Sequence, residues 1–549
     1  MSFKSKKLLL LYTDKYYFVK QVYPFGLDLI AHHLRRYGHT ATIDYPFLPE
    51  PGLEANIEQI LARTEPDLIG LGIRNIDTAM SCEPFGDFEG PDYRTFYFIP
   101  EIRRIVDIIK RLRPEIPVVA GGGAFTVSPG AILNALELNY GIAGEGEEPL
   151  RQFLEAFPDE EKISKIPGLV YRRGDDIVAN PRQPYAFENG RGIVEREKKF
   201  NWAHETVGLP MQVKRGCNRN CSYCVEPVIE GRKFVFKDPD SVIQELERIA
   251  GRCDGVKDIF FVDTEFNIPD LAYCTLLIEK IIRSGLNERF RFSSQFLPAP
   301  FNHAFAGLLR EAGFSVVLTC DSFSDSVLDA NRSSHRKRDS LSTIALCEKF
   351  GIDCSVNLIF GLPGETCETI DQTIESMITY PPNAMRRYEY TLGGRIYQGT
   401  PLCRFVEDQG TTRHVYGNWS EGFLDPYYFC SPDRPEKVKG YVEQHFPFTT
   451  ACQNLHDSTV QQRLAMVFLA DQADWNRAAE RFLKSDLDAC SAVYDYLFRK
   501  LVESGETEKA ITVSEHFRDA ILGQGGMDRY GEYVSVVQYY LSMLKPRID

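Results

Sequence analysis

The stretch that decides the fold is KRGCNRNCSYCVEP, residues 214–227, in which three cysteines have the spacing C-x3-C-x2-C. A closed zinc site usually takes four ligands, and the rest of the chain offers no matching C-x2-C or H-x3-H pair. Three thiolates on a [4Fe–4S] cluster instead leave one iron free to bind a small molecule. The spacing therefore favours a cluster held by Cys217, Cys221 and Cys224 over a zinc knuckle.

Outward from these cysteines, residues 208–400 alternate between short apolar strands and amphipathic helices. Six β/α repeats of this kind predict a barrel, partial or complete, with its chemistry at the C-terminal ends of the strands. The predicted strands are MQVKR, DIFFVD, FRFSSQF, SVVLTCDS, CSVNLIFG and RYEYTLGG.

Residues 1–157 alternate in the same way and predict a doubly wound, Rossmann-like parallel sheet. Ligands bind at the carboxyl ends of such strands, which here carry IRNID, GGGAF and GEGEE. The sequence of residues 158–207 predicts a linker that contains a hairpin. Residues 401–549 are mostly helix-like, and we expect this domain to cap the substrate pocket.

Composition limits the classes of function. The 549 residues include 63 basic and 77 acidic side chains, so the net charge of −14 gives no support to a nucleic-acid partner. No apolar run approaches the roughly 20 residues that cross a bilayer, and the apolar core of MSFKSKKLLLLYTDK is too short for a signal peptide. We therefore expect a soluble, cytoplasmic protein without a membrane partner, and we expect a monomer.

The cysteine motif, with Tyr223 before its last cysteine, resembles the signature of radical S-adenosylmethionine (SAM) enzymes. The front domain resembles the cobalamin-binding domain of the cobalamin-dependent (class B) radical SAM methyltransferases, and the likeness covers about residues 1–400. It implies a [4Fe–4S] cluster, SAM and cobalamin as methylcobalamin, with an electron donor such as flavodoxin or ferredoxin. The matching segments are VYPFGLDLIAHHLRRYGH, IGLGIRNIDT, VVAGGGAF, YGIAGEGEEPL and GGRIYQGTPL.

The resemblance also implies which residues meet the cofactors. On the cobalamin side they are Tyr23, Phe25, Arg74, Asn75, Gly121, Gly122, Gly123, Phe125, Glu145, Gly146 and Glu147. Around SAM and the cluster they are Tyr223, Glu265, Asn267, Gln295, Asp321, Ser322, Asn357 and Arg395.

The cobalt ligand motif D-x-H-x-x-G is absent from the chain. Arg74, directly after the third strand, is positioned to occupy the lower face of cobalt without donating a lone pair. Alternatively, Arg74 forms an ion pair with Asp77 or binds a corrin amide. The glycine run 121–123 suits close approach of a bulky ligand or only a tight turn, and Glu145 and Glu147 either accept hydrogen bonds from the ligand or cap the next helix.

Glu265 decides between two chemistries. If Glu265 binds the open iron, SAM would act only as a methyl donor. That arrangement resembles the enzymes that methylate C2 of tryptophan in thiostrepton-type thiopeptide biosynthesis. As a partner of the SAM ammonium it fits a radical methylase that acts on an sp3 carbon through a 5′-deoxyadenosyl radical. Tyr397 is a candidate to take the substrate proton. The alternative from a different functional class is a corrinoid-binding sensor or carrier with a relic cluster.

Overall fold

The computed structural model describes residues 5–16, 22–48, 51–79, 81, 95–183, 186–187, 200, 208–253, 255–409, 413–446, 452–454, 459–523 and 526–544. The chain divides into two compact units. The first comprises residues 1–15, 21–81 and 88–452, and the second comprises residues 16–20, 82–87 and 453–549. None of the described helices is long and apolar enough to cross a membrane.

The front of the first unit is a seven-stranded sheet in the order β2-β1-β3-β4-β5-β6-β7. Its first five strands are parallel, and β6 and β7 add an antiparallel hairpin at one edge. The strands are β1 (Lys7–Tyr12), β2 (Thr40–Asp44), β3 (Leu68–Gly72), β4 (Val118–Gly121), β5 (Tyr140–Ile142), β6 (Leu169–Arg173) and β7 (Asp176–Ala179).

Helices connect these strands. Their sequences explain why they form: Ile99–Leu112 buries an isoleucine and valine stripe at helical spacing and exposes its charged residues. The five buried residues that end β1 form the continuous apolar run expected of a parallel strand covered on both faces. The predicted Rossmann-like sheet is confirmed. The helices are α1 (Phe25–Arg36), α2 (Leu53–Thr64), α3 (Ile99–Leu112), α4 (Gly123–Val127), α5 (Pro129–Leu136), α6 (Glu147–Ala156) and α7 (Glu160–Ile163).

The second half of this unit contains six parallel strands in the order β15-β14-β13-β12-β11-β8, with helices between successive strands. This confirms the predicted six-strand partial barrel. The strands are β8 (Leu209–Met211), β11 (Asp258–Phe261), β12 (Arg291–Phe296), β13 (Phe314–Asp321), β14 (Cys354–Phe360) and β15 (Arg386–Leu392). The helices are α8 (Glu226–Ile229), α9 (Pro239–Arg252), α10 (Ala272–Arg283), α11 (Leu286–Arg289), α12 (His303–Glu311), α13 (Asp325–Ala330), α14 (Lys337–Phe350) and α15 (Cys367–Thr379).

The first barrel strand differs from its prediction. MQVKR forms two short strands: β8 pairs with β11, whereas β9 (Lys214–Arg215) pairs antiparallel with β10 (Val235–Phe236). The chain leaves the parallel sheet because the side chain of Asp263 accepts the backbone N–H groups of Val213 and Lys214, at 3.0 and 2.7 Å.

Residues 401–446, which the sequence assigns to the helical C-terminal domain, lie in the first compact unit and contain strands. In the described chain, all elements after Asn454 are helices. The elements of 394–446 are β16 (Gly394–Arg395), α16 (Pro401–Gln409), β17 (Val415–Gly417), a 3-10 turn (Glu421–Phe423), β18 (Tyr427–Phe429) and α17 (Pro435–His445), and β16, β17 and β18 form one antiparallel sheet. Cys452–Asn454 is strand β19.

In the second unit the described residues from 459 onward are helical. Asp474 and Asp486 cap two of the helices by accepting the N–H groups of Arg477 and Ala489. Aromatic rings fill the interior, with Phe498 and Tyr540 stacked at 4.2 Å between centroids. The helices are α18 (Thr459–Asp471), α19 (Trp475–Lys484), α20 (Leu487–Glu503), α21 (Thr507–Gly523) and α22 (Met527–Leu544).

Candidate active site

A cavity of about 600 Å³ lies where the front sheet meets the barrel. One side is formed by the carboxyl ends of β1, β3, β4 and β5, the edge at which open α/β sheets bind ligands. The other side is formed by the first two barrel strands. Among its lining residues are Tyr12, Gly72, Gly121 and Ile142 from the front sheet and Pro210, Gln212, Phe260 and Val262 from the barrel.

Most residues predicted on the cobalamin side line this cavity: Tyr23, Phe25, Arg74, Gly121, Gly122, Gly123, Glu145, Gly146 and Glu147. Asn75 and Phe125 do not. The ring of Phe125 is fully buried and fills the space where a Cβ on Gly141 would stand, 2.1 Å from its Cζ. Phe125 is therefore a core residue, because a ring packed against backbone cannot also face a ligand.

The glycines at 121 and 122 are explained by different steric surroundings. A Cβ on Gly122, whose φ is +101°, would lie 2.5 Å from the carbonyl oxygen of Ile73, so this position serves a close approach of two chain segments. Gly121 has only the carbonyl of Ile142 nearby, at 3.7 Å, and it faces the cavity. Only Gly121 is free of a steric demand from the protein itself.

Arg74 lines the cavity and pairs with Asp14, with 3.2 Å between Nη2 and Oδ2. The alternative pairing with Asp77 is wrong, because Asp77 pairs with Arg395. Arg74 has 42% of its side chain exposed, which leaves part of this permanent cation available to a ligand.

The two predicted cavity glutamates, Glu145 and Glu147, are paired with arginines. Glu145 lies 3.5 Å from Arg182, and Glu147 lies 3.0 Å from Arg215. Helix α6 has no side-chain cap hydrogen bond, but Glu147 lies in its first turn, where its charge favours the helix N-terminus. Arg215 belongs to β9, and its bond to Glu147 joins the front domain to the base of the cysteine loop.

The cysteine loop is held at both ends by hydrogen bonds. The N–H of Cys217 donates to the carbonyl of Gly231 at 3.0 Å, and the N–H of Ser222 donates to the carbonyl of Asn331 at 3.0 Å. Gly216 has φ +95°, and a Cβ there would lie 2.2 Å from the carbonyl oxygen of Lys233. A glycine is therefore required where the loop begins.

The three thiols share one electrostatic environment. Burial, and then the charge of Asp321, raises the pKa of Cys221 to about 12. Burial likewise raises the pKa values of Cys217 and Cys224, and the charges of acidic neighbours add to the effect in both. Thiolates here would repel one another and nearby carboxylates, so the loop suits a group that brings positive charge.

The arrangement does not suit a single ion. Among the described residues, no group of three histidine, cysteine or acidic side chains is placed to hold one metal ion. A cubane cluster has no such requirement, because each of its irons takes a separate thiolate.

Glu265 follows β11 and reaches toward β13. Its Oε1 accepts a hydrogen bond of 2.9 Å from the hydroxyl of Thr319, and its buried Oε2 has no partner among the residues that the structure describes. Burial raises the pKa of Glu265 to about 8, although Thr319 and the charge of Lys214 lower it. A buried, unsatisfied carboxylate oxygen whose charge acts on Cys217 and Cys221 is the feature that a cluster iron or a ligand cation would satisfy.

Lys214 is a second residue of this kind, and the sequence analysis missed it. Its side chain is 1% exposed, and its ammonium has no hydrogen-bond partner within the described chain. Its charge acts on Cys217 and Glu265. An orphaned ammonium beside the loop fits an anionic cluster held by thiolates. The available signal was a lysine inside the apolar strand pattern MQVKR.

Polar residues line one face of the barrel sheet. On neighbouring strands, Thr319 pairs with Asn357, and Asn357 pairs with Glu389. On the other side, Gln295 pairs with Val317, which lies two residues before Thr319 on the same strand. Alternate residues of a strand face the same side, so these side chains share a face. Phe260 belongs to it through its pairing with Ser293, and Phe260 also lines the cavity. The predicted Gln295 and Asn357 are therefore brought together with the unpredicted Thr319 and Glu389.

Tyr223 and Asp321 are also brought together. The phenol of Tyr223 donates to Oδ1 of Asp321 at 2.7 Å, and Ser333 donates to Oδ2 at 3.3 Å. Asp321 therefore braces the cysteine loop, and Ser324, not Asp321, is the N-cap residue of α13. Burial raises the pKa of Asp321.

Two predicted ligand residues have structural roles instead. Asn267 is fully buried, and its amide donates to the carbonyls of Leu297 and Pro300 at 2.9 and 2.7 Å. The hydroxyl of Ser322 contacts Thr373 at 3.2 Å and accepts the N–H of Ser324. The amide of Asn267 is thus committed to two backbone carbonyls, and the hydroxyl of Ser322 is held by Thr373 and the N–H of Ser324.

Arg395 and Tyr397 lie at the junction of the two domains. Arg395 pairs with Asp77 at 2.8 Å, with exposed fractions of 2% and 0%, so it does not face the cavity. Burial, and then the charge of Asp77, raises the pKa of Tyr397. A phenol that stays protonated at neutral pH is not a ready base, which argues against the predicted role of Tyr397.

The sequence model of the Radical SAM superfamily matches residues 211–377, which hold the cysteine loop and strands β11 to β14. The chain therefore contains a radical SAM domain. Sequence similarity extends beyond it: the tryptophan 2-C-methyltransferase of Streptomyces laurentii is 25% identical over 469 residues, which cover 73% of this chain and 75% of that protein.

Solved structures show the same fold across both domains. TsrM of Kitasatospora setae, a radical S-adenosylmethionine methyltransferase determined with cobalamin and a [4Fe–4S] cluster, matches 84% of this chain and 96% of its own, with a TM-score of 0.71 and 22% identity. The cobalamin-dependent radical enzyme OxsB matches 98% of this chain and 84% of its own, with a TM-score of 0.62 and 14% identity. The fold of this protein is thus that of the cobalamin-dependent radical SAM enzymes.

Proposed function

We propose that this protein is a C-methyltransferase that uses a [4Fe–4S] cluster, SAM and cobalamin to move a methyl group from SAM to C2 of L-tryptophan. The observation that carries the proposal is the placement of the large cavity between the front sheet and the barrel strands that lead into the cysteine loop. The 25% identity to a tryptophan 2-C-methyltransferase supports the substrate.

The residues present fit each group. Cys217, Cys221 and Cys224 would hold the cluster, and the unpartnered oxygen of Glu265 would supply its remaining iron ligand. Cobalamin would occupy the cavity, with Arg74 on the side of the corrin that faces the front sheet. SAM would bind on the polar barrel face of Gln295, Asn357 and Glu389. Bound together, the three groups supply methyl transfer to a carbon that SAM alone cannot methylate.

The chain's own residues position and shield this chemistry. A carboxylate from Glu265 on the open iron would keep the amino-acid end of SAM from the cluster, which would favour methyl donation over radical cleavage. Thr319 holds that carboxylate in place. The protein would need an electron donor to keep the cofactors reduced.

The test is anaerobic reconstitution with iron, sulfide and hydroxocobalamin, followed by incubation with tryptophan, a reductant and methyl-labelled SAM. Labelled 2-methyltryptophan without matching 5′-deoxyadenosine supports the proposal. Reconstituted enzyme that binds both cofactors and leaves tryptophan unmethylated refutes the substrate, and stoichiometric 5′-deoxyadenosine with another methylated product favours the radical methylase of an sp3 carbon.

Cysteine variants test the cluster itself. C224A should lose the iron and sulfide of the reconstituted protein. The matched control is C367A, because Cys367 is exposed on the surface. Equal iron content in C224A and C367A would exclude a cluster on this loop.

A further inference from the structure

We infer that the buried ion pair between Asp77 and Arg395 is a positioning device that fixes the loop 73–79 to the barrel, and with it Arg74 at the cavity. This inference rests on the proposed function for the identity of the ligand. The contacts that carry it belong to the protein alone.

The pair is unusually well enclosed. Nε of Arg395 donates to Oδ2 of Asp77 at 2.8 Å, and the two side chains are 2% and 0% exposed. The rest of the guanidinium donates to the carbonyls of Ile396, Phe423 and Asp425 at 2.6, 2.7 and 3.0 Å. A buried charge is tolerated when it is paired and its remaining donors are satisfied, as here.

Arg395 therefore joins three segments. Its own strand, β16, follows the last barrel strand, β15, and Asp77 lies in the loop after β3 of the front sheet. The third segment, 421–425, contacts the front domain independently, because the hydroxyl of Ser128 donates to the carbonyl of Gly422 at 2.6 Å. Ser81 adds another tie, since its hydroxyl donates to the carbonyl of Leu392 at the end of β15.

Further hydrogen bonds hold residues 76–79 of this loop. The N–H of Phe98 donates to the carbonyl of Ile76 at 2.9 Å, and the N–H of Thr78 donates to the carbonyl of Phe96 at 3.1 Å. The other oxygen of Asp77 accepts the N–H of Ala79 at 2.7 Å. Arg74 precedes Asp77 by three residues, so holding Asp77 limits where Arg74 can stand.

Without the ion pair, the loop would lose its charged contact with the barrel and would keep, among the described contacts, the hydrogen bond from Ser81 to Leu392. Arg74 would then keep its largely buried partner Asp14 but would be held less firmly relative to the barrel side of the cavity. Because a ligand spanning both sides needs both surfaces at a set distance, loss of the pair should weaken binding and admit water beneath the ligand.

The experiment uses the double variant D77N/R395M in the full-length chain. It removes both charges together, so no buried charge is left unpaired, and the amide introduced by D77N keeps an acceptor for the N–H of Ala79. The matched control is D258N/R291M, which removes an exposed pair of 2.7 Å between the first residues of strands β11 and β12. We expect both to fold, as judged by circular dichroism.

Cobalamin binding and the electron paramagnetic resonance spectrum of bound cob(II)alamin are then compared. D77N/R395M should bind about 10- to 100-fold more weakly than wild type, and its spectrum should show an added axial ligand. The control should match wild type in both. A folded D77N/R395M with unchanged affinity and spectrum would overturn the inference.

A measurement on the unaltered chain covers a folding failure of the variant. In wild-type protein, amide hydrogen exchange at 74–79 should be as slow as in β15, with or without cobalamin. Fast exchange in that loop would overturn the inference. Failure of wild type to bind cobalamin would instead refute the proposed function, and the exchange result would stand separately.

Discussion

The hydroxyl of Thr319 donates a 2.9 Å hydrogen bond to one oxygen of Glu265 and leaves the other oxygen, which is buried, without a partner among the described residues. The two residues come from different strand ends of the barrel, 54 positions apart in sequence. The hydrogen bond orients the carboxylate, and the unsatisfied oxygen makes it a candidate ligand. Glu265 is thus better prepared to bind a metal-containing group than to serve as a structural acid.

The first prediction concerns E265Q. An amide is a much poorer iron ligand than a carboxylate, so the reduced cluster should change its electron paramagnetic resonance spectrum, and methyl transfer should fall by at least about 100-fold. Iron content should stay close to that of wild type, because the cysteines remain. E279Q, which alters an exposed glutamate on α10, is the control. Identical spectra for E265Q and wild type would show that Glu265 is not a ligand.

The second prediction concerns T319V, which keeps the shape of the side chain and removes the donor. Outer partners of metal ligands typically matter by about 10- to 100-fold, and we expect a loss of activity in that range with the cysteine-bound iron retained. T379V, at an exposed position near the end of α15, should have wild-type activity. Activity of T319V within twofold of wild type would argue against an orienting role.

The third prediction separates two adjacent glycines. G121V should fold normally and weaken cobalamin binding, because the added atoms enter the cavity and meet no backbone closer than 3.7 Å at Cβ. G122A should instead lower the free energy of unfolding by about 1–3 kcal/mol, since its backbone is left-handed and its Cβ meets Ile73. Thermal melts and equilibrium dialysis distinguish the two outcomes. Equal stability losses would contradict the assignment.

The fourth prediction concerns pH and Glu365, which is 2% exposed. Burial raises its pKa to about 7, despite hydrogen bonds from Thr369 and Gly361 that lower it. The folded state therefore keeps the proton that the unfolded state loses near its usual pKa of about 4.3, so Glu365 costs stability as pH rises from about 4.5 to 7, and above that the cost is constant.

E365Q does not have this cost. The difference in unfolding free energy, E365Q minus wild type, should therefore increase by about 3 kcal/mol between pH 4.5 and pH 7.5, and a constant effect of the amide does not alter that increase. Urea unfolding at the two pH values measures the gain. A difference between variant and wild type that does not change with pH would show that Glu365 is ionised in the folded protein.

Much of the fold could be predicted because it rests on local patterns. The periodicities of LLLLY, DLIGLGI and CSVNLIFG fix strands whose observed limits lie within one or two residues of the prediction. The first barrel strand could not be predicted, because a side chain from another strand end, Asp263, takes the N–H groups that would have extended it. The strands within 401–446 escaped notice because each has only three residues.

The sequence by itself determined the doubly wound front sheet, the partial barrel and the three-cysteine loop, since alternation and spacing are properties of neighbours along the chain. Only the tertiary structure decided that Asp77 pairs with Arg395 and not with Arg74, that Phe125 and Asn267 belong to the interior, and that Thr319 and Lys214 stand beside Glu265. These relationships join residues from separate elements. Their partners are chosen by which buried polar groups can satisfy one another after the sheets have packed, and no local pattern records that choice.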